Sequence, residues 1–152
     1  MSRVFPGCPV RIASAAAVLA LVAGPALAAA DPLGDWITED KRGVITVAPC
    51  GDAVCGAITG VSTFPPGGLR DVTGAPECQL RIIKDMKPGD DGKLHGTVTD
   101  PTDGKVYHAQ LWVDESGALR LRGYVGVPWL GSTRVWTRFS GTKAADCHFT
   151  PG

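Results

Sequence analysis

The sequence lacks the features by which nucleic-acid-binding and membrane-spanning proteins are recognised. Lysine plus arginine equals aspartate plus glutamate at 15 each, so no basic excess is present to neutralise phosphates. This balance argues against nucleic acid and anionic membrane surfaces as partners. Beyond residue 30, no apolar run approaches the length of a membrane-spanning helix, so we expect no membrane span.

The sequence also lacks the local motifs of common enzymes. It contains no Gly-x-Ser-x-Gly elbow, no glycine-rich phosphate loop and no His-Glu-x-x-His helix. We therefore predict no catalytic residues, no cofactor, no metal and no enzymatic activity.

Two side-chain clusters have an alternative, chemical interpretation. Asp100 and Asp103 beside Tyr107 could act as an acid and a base on a sugar or ester. Turn geometry explains the same residues more simply, with Asp100 as a cap and Gly104 in the left-handed region. His95 and His108 become diagonal neighbours if Thr97 faces His108, and could then hold a metal; isolated histidines on exposed strands are more often solvated.

The first 30 residues are typical of a secretory signal peptide. Arg3 and Arg11 precede a small-residue apolar run, which is followed by a short cleavage motif that ends at Ala28 or Ala30. We expect a signal peptide at 1–30, a single folded domain at 31–152, and a periplasmic or secreted location.

Four cysteines remain in the predicted mature domain, and an even count in an oxidising compartment indicates two disulfides. Three connectivities are possible. The spacing of Cys50 and Cys55 is typical of a hairpin tip, which favours Cys50–Cys55 and leaves Cys78–Cys147. A four-cysteine metal site is the rival interpretation, but paired Cys-x-x-Cys knuckles are absent.

Short β-rich runs alternate with Gly, Pro and Asp clusters, the pattern of an all-β fold. Short turns impose antiparallel neighbours, and eight such strands suffice to close a small up-and-down barrel. The predicted strands cover 34–39, 43–48, 55–61, 79–86, 94–99, 106–113, 118–124 and 132–139. The connection from 62 to 77 is much longer than the others, which is typical of a functional flap or of disorder.

A Gly-x-Trp opening strand and an arginine on the last strand predict how the barrel closes. We expect Arg138 to stack on Trp36, or otherwise on Trp136, with both tryptophans in the core. Arg134 shares the face of Trp136, so one of the two arginines is free to face solvent.

These segments resemble the bacterial DUF2147 family of exported domains, which have lipocalin-like (calycin) barrels. The resemblance rests on four elements that run in order through nearly the whole mature chain: Gly34-x-Trp36, Cys50-x4-Cys55-Gly56, Asp100-Pro-x-x-Gly104-x-x-Tyr107, and Gly123-Tyr-x-Gly126 leading to Trp136-x-Arg138. It implies a lipocalin-like fold and export from the cytoplasm. It implies no activity, ligand or catalytic residue.

We therefore expect a β-barrel that binds a small, partly apolar molecule at its mouth. Large apolar side chains in otherwise turn-forming sequence mark the predicted rim, namely Phe64, Leu69, Trp129 and Leu130. The alternative is a cell-envelope protein-interaction module whose barrel is filled by side chains.

Overall fold

The computed structural model describes residues 30–61 and 70–152 and confirms the predicted all-β architecture. Eight antiparallel strands, each paired with the next in chain order and the last with the first, form a closed up-and-down barrel. The strands are β1 (Gly34–Ile37), β2 (Gly43–Cys50), β3 (Ala53–Val61), β4 (Arg81–Pro88), β5 (Leu94–Thr99), β6 (Val106–Val113), β7 (Leu119–Tyr124) and β8 (Ser132–Arg138); a 3₁₀ turn, Pro128–Leu130, links the last two.

The observed strand ends differ from the predicted ones by a few residues, for local reasons. β2 and β3 extend to Cys50 and Ala53, because Gly51 at φ 70° makes a two-residue hairpin tip possible. β4 begins at Arg81 instead of residue 79, since Gln79 adopts a left-handed φ of 66° that an extended strand cannot contain.

The barrel closes as predicted, through Arg138 and Trp36. These residues are paired across β8 and β1, and the guanidinium lies 3.9 Å from the centroid of the indole. Arg138 also donates hydrogen bonds to the carbonyl oxygens of Leu33 and of Asp31, the latter at 2.6 Å. Gly34 has a φ of 111°, and a Cβ there would lie 2.7 Å from Arg138 Nη1, so glycine leaves the space that the guanidinium occupies.

The half of the barrel that contains this closure is packed with side chains. We call this end the base; it carries the β2–β3, β4–β5 and β6–β7 turns. Its interior residues are fully or almost fully buried. They include Trp36, Val47, Met86, Leu111 and Leu119. Trp136, at 5% exposure, lies above them and belongs to the core as predicted.

Both predicted disulfides are present. Cys50–Cys55 joins the ends of β2 and β3 beside their hairpin tip. Cys78–Cys147 links the connection before β4 to the C-terminal segment. In the loop-entropy model the short bridge stabilises the fold by about 2 kcal/mol and the long one by about 4 kcal/mol.

The C-terminal segment covers the outside of the barrel, which the sequence analysis did not predict. Two short strands, β9 (Thr142–Lys143) and β10 (Phe149–Thr150), pair with each other. Phe149 packs on the outward side chains of β1 and β2 in a second apolar cluster with Ile37 and Val44, and Phe139 meets Phe149 edge to face at 5.4 Å. The parts of β1 and β2 around Ile37 and Val44 are therefore buried on both faces.

A polar cluster anchors this segment to the barrel. Lys143 Nζ donates to Asp35 Oδ1 at 2.5 Å and to the hydroxyls of Thr46 and Thr59 at 2.8 and 3.2 Å. Burial by itself raises the pKa of Asp35, but the hydrogen bonds from Lys143 and Thr46 and the lysine charge outweigh it, so that the pKa lies below its ordinary value. The carboxylate is therefore held in its charged form.

Within the described part of the chain, no helix has the length and apolar character needed to cross a membrane. The predicted signal peptide falls almost entirely in residues 1–29, outside the described residues.

Arg138→Ala should lower the free energy of unfolding by about 1–2 kcal/mol, because it removes the stack on Trp36 and uncovers the arginine stem. Urea unfolding followed by tryptophan fluorescence measures the loss. Arg134→Ala is the matched control on the same strand and face, and should change stability little. Equal midpoints for Arg138→Ala and the native protein would contradict the role assigned to the closure.

Lys143→Ala should destabilise the protein by about 1–2 kcal/mol at neutral pH, because Asp35 and two threonines lose their shared donor. Because the pKa of Asp35 is lowered by folding, its contribution is present above the ordinary carboxyl value of 3.8 and is lost as pH falls through the folded value. Lys143→Ala should therefore make the acid branch of the stability curve shallower. Lys105→Ala, which breaks an exposed pair with Asp103, is the control and should leave the midpoint in place; an unchanged acid branch in Lys143→Ala would refute the anchoring role.

Candidate functional site at the barrel mouth

Four connections meet at the end of the barrel opposite the base, and we call this end the mouth. They join β1 to β2, β3 to β4, β5 to β6 and β7 to β8. The described part of the β3–β4 connection and the turn that carries Trp129 therefore lie at the same end, as an up-and-down barrel requires of alternate turns.

Two adjoining concavities open at the mouth, each with a volume of about 680 Å³. Volumes of this size are typical of small-molecule sites. The first lobe is bordered by the charged β1–β2 connection and by Glu77, above Ile45 and Ile58. The second lobe has mostly apolar and aromatic walls, formed by Val98, Tyr107, Leu121, Val125 and Leu130.

The two lobes share part of their lining, so they form one composite site. Ile82, Pro101, Arg134 and Trp136 contribute to both. Because Trp136 is almost fully buried and borders both lobes, it forms the floor that separates the open mouth from the packed base.

Arg134 reaches this junction because of its register in β8. It pairs with Leu121, and Trp136, two residues on, pairs with Leu119; all four side chains therefore share the inner face. Unlike Arg138, Arg134 makes no hydrogen bond or ion pair within residues 30–61 and 70–152. The mouth thus presents an exposed arginine that has no protein partner among the described residues.

Two carboxyl groups of the first lobe have pKa values that are shifted in opposite directions. Burial, reinforced by the negative charges of Asp71 and Asp100, raises the pKa of Glu77. Asp40 behaves oppositely, since a hydrogen bond from the Thr38 hydroxyl at 2.7 Å is the largest of several contributions that lower its pKa. A raised carboxyl pKa inside a concavity is a common property of functional sites.

The structure places half of the predicted rim residues at the mouth. Leu130 lines the second lobe, and its side chain is 74% exposed. Trp129 precedes it in the 3₁₀ turn and is 76% exposed. The turn is secured from the outer face by Arg122, which donates to the Pro128 carbonyl at 2.6 Å. Phe64 and Leu69 lie outside the described residues.

The Asp100 motif has the turn geometry expected from the sequence. Asp100 Oδ1 accepts a hydrogen bond from the Thr102 amide at 2.9 Å, and Gly104 adopts a φ of 72°. Asp103 likewise accepts from the Lys105 amide at 2.9 Å. Tyr107 extends into the second lobe from the inner face of β6.

The two histidines have the predicted register, with Thr97 opposite His108. His95 Nε2 lies 2.7 Å from Asp91 Oδ1, and the ring of His108 lies 5.6 Å from that of Tyr124. In the described part of the chain, no group of three or more His, Cys, Asp or Glu side chains is arranged to hold a metal ion.

Sequence reasoning left the roles of two mouth residues unassigned. The even spacing of Arg134 from Trp136 indicated a shared face, but it did not indicate that Arg134 lines both lobes of the mouth. Gly123 was noted only as part of a motif. In the structure it lies on the inner face of β7, where an added Cβ would be 3.5 Å from Val98 and 3.7 Å from Tyr107, an ordinary contact distance.

The closed barrel, its packed base and its open mouth define a lipocalin-like protein. A solved structure agrees with this class: protein HP1028 from the human pathogen Helicobacter pylori, which belongs to the lipocalin family, matches with a TM-score of 0.58. At 15% identity, over 72% of this chain and 84% of that one, the match shows the fold alone.

The chain belongs to the family DUF2147, described as an uncharacterized protein conserved in bacteria, whose model matches residues 34–138. No curated protein matches the sequence. The matched range covers all eight barrel strands, from Gly34 to Arg138, and so includes the mouth and the closure.

Glu77→Gln should stabilise the protein at neutral pH and have little effect at pH values well below the ordinary carboxyl pKa. Because folding raises the pKa of Glu77, the native state loses stability as pH rises from the pKa of this group in the unfolded state through its pKa in the folded state. Thermal unfolding between acidic and neutral pH measures this difference. Glu39→Gln, at the rim of the same lobe, is the control; a Glu77→Gln curve parallel to the native one would contradict the assignment.

Proposed function

We propose that the protein binds a small, partly apolar molecule at the barrel mouth and acts as a carrier or sensor, not as an enzyme. The observation that supports this most strongly is the difference between the two ends of the barrel. The base is packed with side chains, whereas the mouth is open, with two lobes of about 680 Å³ each above the Trp136 floor. Side chains that filled this space would stabilise the fold further, because apolar surface left in contact with water contributes no burial free energy.

The described lining of the mouth favours a binding function. The second lobe has mostly apolar walls. The carboxylates of Asp100 and Asp103 accept hydrogen bonds from backbone amides of their own turn, which accounts for both residues without a catalytic role. Burying two or three groups the size of Leu or Phe there would contribute about 1.5–3 kcal/mol each. After the entropy cost of association, this supports affinities on the order of micromolar.

The proposed location is the periplasm or the outside of the cell. Two disulfides are compatible with an oxidising, extracytoplasmic compartment. The N-terminal sequence supports export by its composition.

A second candidate function is a protein-interaction module of the cell envelope. Within residues 30–61 and 70–152, the five exposed large hydrophobic residues all lie at the mouth end: Val72, Val106, Val125, Trp129 and Leu130. Exposed apolar side chains at one end of a molecule favour an interface. The same residues would also surround the entrance of a ligand site, so the following experiment is designed to separate the two functions.

Gly123→Val should abolish saturable binding of a neutral fluorescent probe, phenylnaphthylamine, while the fold is retained. The new side chain would enter the second lobe at ordinary contact distances from Val98 and Tyr107, and the backbone of Gly123 does not require a positive φ. Fluorescence titration measures binding, and circular dichroism verifies the fold.

Val106→Phe is the matched control, because it adds apolar volume to the outer face at the same end of the barrel. It should leave binding of the probe unchanged. Absence of binding to the native protein, or equal binding by Gly123→Val, would reject the carrier and favour the interaction module.

A further inference from the structure

We propose that Arg134 is an anion-binding residue and that the natural ligand is amphipathic, with an anionic head at the junction of the two lobes and an apolar tail in the second lobe. This inference rests on the proposed function and specifies the class of ligand. It begins from the position of the guanidinium, which borders both lobes directly above the Trp136 floor.

Among the described residues, Arg134 lacks the partners that Arg138 and Arg122 possess. Arg138 is committed to Trp36 and to two carbonyl oxygens, and Arg122 to Pro128 and Thr133. Arg134 makes none of these contacts within the described residues. All five of its N–H donors are therefore available for a bidentate contact with a carboxylate, sulfonate or phosphate.

The neighbouring carboxylates do not neutralise it. Asp40 accepts hydrogen bonds from the Thr38 hydroxyl and the Arg42 amide, and Asp100 caps its own turn through the Thr102 amide. Burial and acidic neighbours raise the pKa of Glu77, which favours its neutral form. None of these carboxyl groups, nor Glu39 at the rim of the first lobe, forms an ion pair with Arg134 among the described residues.

Ligand entry changes the energetic balance around Arg134. A purely apolar molecule that filled the second lobe would cover the guanidinium and leave it desolvated without a partner, which is unfavourable. An anionic head would form charge-assisted hydrogen bonds with it, while the tail would lie against Val98, Leu121 and Leu130. The site therefore discriminates in favour of an anion attached to an apolar chain.

The test compares dansylaminoundecanoic acid with its methyl ester, two fluorescent probes that differ in a single charge. The native protein should bind the acid roughly 10- to 100-fold more tightly than the ester. Arg134→Gln should remove this preference by weakening binding of the acid alone, and Arg134→Lys should retain part of it. Added salt should weaken binding of the acid and leave that of the ester unchanged.

Arg81→Gln is the matched control. Arg81 is an exposed arginine at the start of β4 that lines neither lobe, and its replacement changes the net charge by the same amount. It should preserve the preference for the acid. Equal affinities of the native protein for acid and ester, or an unchanged preference in Arg134→Gln, would overturn the role of Arg134 and leave the carrier function intact. Failure of both probes to bind would reject the carrier function, and this inference with it.

Discussion

The stack of Arg138 on Trp36 is the interaction on which the rest of the structure depends. An up-and-down barrel has one pairing that the chain must form between its first and last strands, and loop closure over such a distance is entropically costly. β1 and β8 share two paired positions, fewer than the neighbouring pairs have. The guanidinium supplements this short ladder by stacking on the indole and by binding two carbonyl oxygens of the segment before β1.

The closure also explains why the two ends of the barrel differ. Trp36, Met86 and Leu111 fill the base around the closure, so stability is concentrated there. The C-terminal segment adds a second layer outside β1 and β2, fastened by Lys143 and by the Cys78–Cys147 disulfide. With the base and one wall reinforced, the mouth can remain open and retain a partly buried carboxyl of raised pKa, Glu77, whose charged form is disfavoured there.

Much of the fold was predictable because its signals are local. Turn residues such as Gly51 and Gly104 define hairpins, and hairpins in succession leave little choice of topology. The Gly34-x-Trp36 segment and Arg138 predicted the closure, and the even cysteine count with one short spacing predicted both disulfides. The β9–β10 segment was missed because two-residue strands have no readable periodicity. Its polar contact with the barrel joins Lys143 to Asp35, 108 residues away in sequence, and no local pattern indicates such a contact. The mouth was predicted from its apolar turn residues, whereas the orientation of Arg134 and the space beside Gly123 depend on packing across strands, which no local pattern encodes.

We propose that the open mouth is a ligand site and that the rest of the molecule supports it. Amide chemical-shift mapping by NMR during titration with phenylnaphthylamine tests this most directly, because it reports where a probe binds as well as whether it binds. We expect saturable shifts at Val98, Tyr107, Leu121 and Gly123, with the base, including Met86 and Leu119, unaffected. Shifts spread over the outer faces of the strands, or none at saturating probe, would contradict it.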